Sequence, residues 1–101
     1  EVFIRAILAR HGLLEAFSEI HTNPASFERA EDGGEGPLRV SPYVPFNVGH
    51  GCPNCPTNMC KGAILRRLRA AREPSVPVVY IGDGGGDYCA GLALLGGDWV
   101  C

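Results

Sequence analysis

One stretch constrains the fold of this chain more than any other: an apolar run that stops at a cluster of glycines and two aspartates. Residues 78–81 read VVYI, and residues 82–89 continue as GDGGGDYC. An uninterrupted apolar run of this kind is typical of a strand buried on both faces, as in a parallel sheet. In open α/β sheets, the loops at the carboxyl ends of such strands line the binding crevice. The position of Asp83, directly after the strand, therefore favours a functional role.

The segments around this strand predict an α/β fold. Apolar residues recur at helical spacing over 59–72 and predict a helix there, with Thr57 or Asn58 as its cap. The buried face would consist of Ile64, Leu65, Leu68 and Ala71, and the arginines would lie outside or near the end. Residues 87–95 are typical of a turn of helix, and a further strand is predicted at 99–100. Helices that alternate with strands in this way indicate a parallel sheet.

The amino-terminal part of the chain is predicted to run from helix to strand. Residues 1–11 have helical periodicity with one apolar side, and Gly12 lies where a left-handed residue commonly follows a helix. Residues 13–17 could form one further turn. Residues 18–22 alternate and are short enough for a strand, which the following Asn-Pro pair would close.

An acidic segment without apolar periodicity occupies residues 27–37, which read FERAEDGGEGP. This composition predicts an acidic surface loop or the tip of a hairpin. A second short strand is predicted at 38–44, and Pro42 and Pro45 would confine it to the edge of a sheet. Residues 47–56 are expected to be irregular.

The charge and length of the chain exclude several classes of protein. The 101 residues correspond to about one small domain with a modest core. Nine basic and 11 acidic residues leave a net charge of −2, so neither nucleic acid nor an anionic membrane surface is an expected partner. The apolar residues 2–14 are interrupted by Arg5 and Arg10, so no segment has the length that crossing a membrane requires.

The cysteines and the ends of the chain bear on its cellular context. Five cysteines are present, and three of them fall within residues 52–60. A secreted disulfide framework would more often spread an even number along the chain, so this pattern favours a reducing compartment, and we predict a cytoplasmic location. The chain begins without Met inside a predicted helix and ends at Cys101 directly after a predicted strand. We therefore expect a fragment of a longer protein.

Three charged side chains are candidates for chemistry. Asp83 and Asp87 supply the hard oxygen ligands that Mg²⁺ prefers, and the glycines between them let phosphate oxygens approach the backbone. Lys61 lies in the first turn of the 59–72 helix, where an anion would meet free N–H groups and an ammonium. The alternatives are a glycine-rich turn whose aspartates cap the next helix, and a solvated lysine. A nucleotide-binding loop is disfavoured, because GDGGGD matches neither the G-x-x-x-x-G-K-[ST] pattern nor a full G-x-G-x-x-G pattern ahead of a long helix.

A second group of candidates is rich in sulfur. His50, Cys52, Cys55 and Cys60 fall within eleven residues and include a C-x-x-C spacing. Four such ligands could bind zinc, although zinc ligands more often come from two separated pairs. A redox C-x-x-C motif and packed or capping thiols are the alternatives. His11 and His21 are interpreted as ordinary histidines, and no serine lies in a G-x-S-x-G motif.

Two of these stretches together resemble a known enzyme family. The segment CPTNMCK, which ends at Lys61, and VVYIGDGGGDYC resemble the last two motifs of the haloacid-dehalogenase-like (HAD) phosphatases. The resemblance is closer to the group of phosphoethanolamine/phosphocholine and pyridoxal-phosphate phosphatases. Residues 13–17 and 20–24 also resemble the segment after that group's second motif. Gly86 replaces an Asn that relatives commonly have, and Ala90 replaces a Pro.

The resemblance implies a fold and a mechanism. The fold would be a three-layer α/β/α Rossmann-like HAD core with a parallel sheet, of which residues 1–101 form a part without the first strand and the cap. The activity would be Mg²⁺-dependent hydrolysis of a small phosphomonoester through an aspartyl-phosphate intermediate. Asp83 would bind Mg²⁺, Asp87 would hold a water bound to that ion or orient Lys61, and Lys61 would neutralise the phosphate and the nucleophile.

The same resemblance identifies what the 101 residues do not include. The family's D-x-D-x-[TV] motif, which contains the nucleophile, does not occur in them, so this stretch alone is expected to be inactive. Substrates such as phosphocholine, phosphoethanolamine or pyridoxal phosphate would be selected largely by the cap. Two other hypotheses remain: a zinc-stabilised binding module built on His50, Cys52, Cys55 and Cys60, and a non-catalytic remnant of the phosphatase fold.

Overall fold

The structure is a computed structural model that describes residues 1–101. It contains three α-helices and four strands, with single turns of 3₁₀-helix at Leu14–Ala16 and Gly85–Asp87. The helices are α1 (Val2–Arg10), α2 (Lys61–Ala70) and α3 (Tyr88–Gly91), and the strands are β1 (Ala25–Arg29), β2 (Glu35–Val40), β3 (Val79–Tyr80) and β4 (Trp99–Val100). β1 and β2 form an antiparallel pair, and β3 and β4 form a parallel pair. The predicted mixture of helices and strands is confirmed, but the strands form two small sheets and these residues alone do not form a three-layer core.

The parallel unit β3–α3–β4 follows the predicted order. Val79 pairs with Trp99 and Tyr80 pairs with Val100, so both strands point the same way. The prediction that residues 78–81 are buried on both faces is wrong, because Val79 is 60% exposed and Ile81 is 78% exposed. A sheet of two strands leaves these side chains uncovered.

Helix α2 starts two residues later than predicted and has a different cap. The cap is Cys60, whose Sγ accepts a hydrogen bond from the Ala63 N–H at 3.3 Å, in place of Thr57 or Asn58. Asn58 lies three residues before the first residue of the helix, too early to cap it, and its side chain donates to Asn23 at 3.0 Å. Of the predicted buried face, Ile64, Leu65 and Leu68 are half-buried, whereas Ala71 is exposed.

The amino-terminal part matches the predicted helix but not the predicted strand. Helix α1 ends at Arg10, and Gly12 has the expected positive φ of 65°. No residue of α1 is buried, so its apolar side finds no partner within the chain. Residues 18–22 form no strand, because their backbone has no neighbouring strand to pair with.

The predicted acidic segment forms the turn and part of both strands of a β-hairpin. β1 and β2 are joined by a turn at residues 30–34, where Ala30 donates to the Gly34 carbonyl and Gly33 has φ of 85°. The prediction of a hairpin tip is therefore confirmed, while the second strand begins at Glu35 and not at Leu38. It ends at Val40, before Pro42.

The core is small and lies between α2 and α3. Only five residues are buried, namely Cys60, Gly62, Cys89, Ala90 and Ala93. A Cβ added at Gly62 would lie 2.5 Å from the Cys89 carbonyl oxygen, so the glycine allows the two helices to approach. The radius of gyration is 16.4 Å, whereas a compact domain of 100 residues has about 13 Å. No helix combines the length and apolarity needed to cross a membrane.

Candidate functional site

The packing of α2 against α3 brings Lys61 and Asp87 into contact. Lys61 is the first residue of α2, and Asp87 ends the 3₁₀ turn that follows the glycine loop (residues 82–86). The Lys61 Nζ lies 2.6 Å from the Asp87 Oδ1, although the residues are 26 positions apart in the chain. The lysine side chain is 46% exposed and the aspartate side chain is 11% exposed. The ammonium therefore reaches from solvent to a mostly covered carboxylate.

Asp87 accepts hydrogen bonds from four donors. Its Oδ1 also accepts from the Tyr80 hydroxyl at 2.5 Å, and its Oδ2 accepts from the backbone N–H groups of Asp83 at 3.1 Å and Gly84 at 3.3 Å. The Lys61 ammonium and then the Tyr80 hydroxyl hold the pKa of Asp87 well below its usual range. Asp87 is therefore ionised at neutral pH and fixes the position of the ammonium.

Tyr80 is the neutral partner in this arrangement. Burial, followed by the hydrogen bond to Asp87, raises the pKa of Tyr80 well above its usual value. The hydroxyl therefore keeps its proton and donates a hydrogen bond to the carboxylate. The sequence pattern predicts for Tyr80 only a place in a strand. Its position in β3, seven residues before Asp87, was the available signal.

The glycine at the start of the loop makes room for the Asp87 side chain. A Cβ at Gly82 would lie 2.7 Å from the Asp87 Cβ and 2.8 Å from its Cγ. Contacts this short do not occur between real side chains. Gly82 is therefore needed so that Asp87 can fold back over the end of β3 and reach the Asp83 and Gly84 N–H groups.

Asp83 lies in the same loop with a free carboxylate. Its backbone N–H is bound to Asp87, but its side chain is exposed and takes part in none of the hydrogen bonds or ion pairs of the chain. Beside the loop, a cleft of about 210 Å³ is bordered by Lys61, Gly86 and the cysteine-rich segment. The glycine loop thus carries one unpaired carboxylate, and the Lys61 ammonium borders the cleft beside this loop.

A second carboxylate holds the parallel strands in place. The side chain of Asp98 is 1% exposed and accepts from the N–H groups of Val78 at 2.9 Å and Leu95 at 2.8 Å, and it lies 3.3 Å from Arg69. The Leu95 and Val78 hydrogen bonds lower the pKa of Asp98. Arg69, predicted to lie outside or near the helix end, is only 12% exposed because it binds Asp98 and the carbonyl of Val76.

Four of the five cysteines meet in one cluster. The Sγ atoms of Cys52, Cys55, Cys60 and Cys89 all lie within 4.8 Å of one another, and no disulfide is formed. A hydrogen bond from the Asn54 backbone, and next the Cys89 thiol, lower the pKa of Cys52 to about 7, whereas burial raises the pKa of Cys55 to about 12. The predicted fourth member, His50, is not in the cluster.

The histidines have other partners. The Nδ1 of His50 accepts from the Cys52 N–H at 3.1 Å, and its Nε2 lies 2.7 Å from the Pro56 carbonyl. His21 contacts Tyr43 at 3.0 Å and Glu19 at 2.8 Å, which agrees with its interpretation as an ordinary, half-buried histidine. His11 caps the carboxyl end of α1.

The chain is similar to known phosphatases along its whole length. A family model described as "Putative Phosphatase" matches residues 1–101. The chain is 42% identical to an inorganic pyrophosphatase 2 and 41% identical to a thiamine phosphate phosphatase-like protein, both from Arabidopsis thaliana, over 98% and 99% of its length. It is 32% identical, over 94% of its length, to a phosphoethanolamine/phosphocholine phosphatase from Gallus gallus. The resemblance seen in the two motifs is confirmed.

The similarity covers only part of each relative. The chain spans 35%, 40% and 34% of the lengths of these three proteins. No solved structure is significantly similar to it.

Proposed function

Since the chain belongs to this family of HAD-type phosphatases, we propose that it contributes part of the phosphatase core domain and that the full-length protein hydrolyses small phosphorylated metabolites. The observation that carries the proposal is the contact between Lys61 and Asp87 beside the free carboxylate of Asp83. Hydrolysis of a phosphoryl group requires that positive groups meet the charge that develops on its oxygens. The residues around the glycine loop supply such groups in an ordered arrangement.

Lys61 is the group proposed to bind the phosphate. Its ammonium has three N–H donors, of which one is engaged by Asp87, so the other two can point to phosphate oxygens. It also stands at the start of the ten-residue helix α2, where the helix dipole and free backbone N–H groups favour an anion. The ion pair with Asp87 reduces the freedom of a flexible side chain before the substrate arrives.

Asp83 is the residue proposed to bind Mg²⁺. An exposed carboxylate without a partner fits a magnesium ligand, because Mg²⁺ commonly takes one or two protein carboxylates and completes its shell with waters and substrate phosphates. When bound, the ion would neutralise charge on the transferred phosphoryl group. For Asp87, we propose the orientation of Lys61 in preference to metal binding, because four donors already occupy its two oxygens.

The covalent route follows from the family and is part of the proposal. An aspartate outside residues 1–101 would attack the phosphorus, which would form an aspartyl phosphate and release the substrate's leaving group with a proton. Water would then attack the same phosphorus, which would release inorganic phosphate and restore the aspartate. Lys61 would offset the negative charge of that nucleophile and of the phosphate together. The names of the relatives point to phosphocholine, phosphoethanolamine, thiamine phosphate and pyrophosphate as substrates to test. The four free thiols of the cluster support the predicted cytoplasmic location, where thiols stay reduced.

The test is the substitution Asp83→Asn in the full-length protein, assayed with these substrates at saturating Mg²⁺. We expect kcat to fall by about 100- to 1,000-fold, as is typical when one electrostatic contact to the transition state is removed. The control is Asp32→Asn, the same change at an exposed position of the hairpin turn. Activity of Asp83→Asn equal to that of the control would contradict the proposed role of Asp83, whereas absence of activity in the wild-type protein would favour a non-catalytic remnant.

A further inference from the structure

The four clustered cysteines have the spacing of a single metal site. The Cys89 Sγ lies 3.4 Å from the Cys52 Sγ and 3.7 Å from the Cys60 Sγ, and all four sulfurs lie within 4.8 Å of one another. A zinc ion bound tetrahedrally at about 2.3 Å from each sulfur separates the sulfurs by about 3.8 Å. The arrangement is too wide for a sulfur–sulfur bond, which is about 2.05 Å long. We propose that Cys52, Cys55, Cys60 and Cys89 bind one structural zinc ion.

The chemistry of the donors selects zinc over magnesium. Thiolates are soft ligands that favour zinc, whereas Mg²⁺ requires oxygen. Four protein ligands close the coordination shell, which is the arrangement of structural and not of catalytic zinc sites. This site is therefore chemically distinct from the oxygen site proposed at Asp83, and its zinc content does not depend on the phosphatase activity.

His50 supports the site without being a ligand. One neutral form of its imidazole satisfies both contacts: Nε2–H donates to the Pro56 carbonyl, and Nδ1 accepts from the Cys52 N–H. These two hydrogen bonds span the segment that carries Cys52 and Cys55 and hold it in a closed loop. Because both nitrogens are engaged, the fourth ligand is Cys89 and not the histidine.

The metal would join parts of the chain that a small core holds weakly. Cys60 and Cys89 are 3% and 4% exposed and are two of only five buried residues. Cys60 directly precedes Lys61, and Cys89 lies two residues after Asp87, so a shared ion would fix the distance between these two charged groups.

The first experiment measures the metal content of the full-length protein. The protein is purified under reducing conditions without chelators, and metals are determined by mass spectrometry. We expect about one zinc per chain in the wild type and at least about a tenfold loss in Cys52→Ser and Cys89→Ser, because each change removes a ligand. Cys101→Ser, which changes the one cysteine outside the cluster, should keep its zinc.

Further variants and treatments separate this site from the alternatives. His50→Gln should retain zinc under the four-cysteine arrangement and lose it if the histidine is a ligand. Asp83→Asn should also retain zinc, so failure of the phosphatase proposal leaves this result unchanged. Removal of zinc from the wild type should lower the unfolding temperature, and zinc but not magnesium should restore it.

Three results would overturn the proposal. The first is wild-type protein that contains less than about a tenth of a zinc ion per chain with its thiols reduced, because a site with the usual affinity of structural zinc would be filled. The second is one iron per chain in place of zinc. The third is a disulfide between two of the four cysteines in protein whose thiols were trapped at lysis. The wild-type measurement is decisive even if a cysteine variant fails to fold.

Discussion

All five buried residues of the chain lie between positions 60 and 93, whereas helix α1 and the β1–β2 hairpin contribute none. In the carboxyl-terminal half, α2 packs against α3, and a glycine at the contact permits the close approach. In the amino-terminal half, α1 keeps its apolar side exposed, and the hairpin is held by its own backbone hydrogen bonds. The two halves therefore depend on different kinds of interaction.

The charged contacts show the same difference. The pairs Lys61–Asp87 and Arg69–Asp98 join separate elements and include carboxylates that are 11% and 1% exposed. The hairpin pair Arg39–Glu28 lies between adjacent strands and is 71% and 42% exposed, so it contributes little to stability. The candidate site therefore depends on long-range packing, and we expect that the hairpin can change without disturbing the site.

The largest effect is expected for Lys61→Met in the full-length protein. Loss of the ammonium removes the donor proposed to meet the phosphate, and kcat should fall by about 100- to 1,000-fold. Arg66→Met, at an exposed position of the same helix, is the matched control and should stay near wild type. Equal phosphatase activity of the two variants would contradict the functional role proposed for the contact between Lys61 and Asp87.

The next largest effect is expected for Gly62→Ala. The added methyl group would lie 2.5 Å from the Cys89 carbonyl oxygen and 2.6 Å from its Sγ, so α2 and α3 must separate. We expect a loss of about 1–3 kcal/mol in the free energy of unfolding, in spite of the higher helix propensity of alanine. Gly91→Ala makes the same change in open space and should not destabilise the protein. Equal stability of the two variants in urea titrations would contradict the importance of this contact.

A smaller effect concerns stability in acid. The pKa of Asp98 is lowered in the folded state, so its stabilising effect is fully present above the unfolded value of about 4 and is lost as pH falls through the folded pKa. Asp87 acts with the same sign. Asp98→Asn should therefore be less stable at neutral pH and should lose less stability between neutral pH and acid. Unfolding temperatures measured as a function of pH test this, and Asp32→Asn should retain the wild-type slope.

The smallest effect is expected in the hairpin. Gly33 has φ of 85°, and Gly33→Ala should cost about 1 kcal/mol because a side chain is strained in this conformation. Faster amide hydrogen exchange should be limited to β1 and β2, with kcat unchanged. Gly34 does not have a positive φ, so Gly34→Ala should increase the rate of amide exchange less than Gly33→Ala does. A loss of activity in Gly33→Ala would show that the two halves are coupled after all.

Much of the carboxyl-terminal half could be predicted from local patterns. The periodicity of residues 59–72, the apolar run before Gly82 and the glycine-rich turn each describe a short segment, and α2, β3 and the turn at Gly85–Asp87 appear where these patterns indicate. The strand at 18–22 was predicted wrongly because alternation alone does not provide a neighbouring strand. The first strand of the hairpin instead begins at Ala25, where two segments of the chain pair with each other.

Local patterns in the sequence were sufficient to predict helix α1, the order α2, β3, α3 and β4, the family, and the candidates Lys61, Asp83 and Asp87, because each of these is encoded in residues close together along the chain. Two features could be seen only in the folded chain: the Lys61 ammonium meets Asp87, and Cys89 rather than His50 completes the cysteine cluster. These facts depend on which side chains meet when α2 packs against α3, and spacing along the chain carries no information about contacts between residues so far apart.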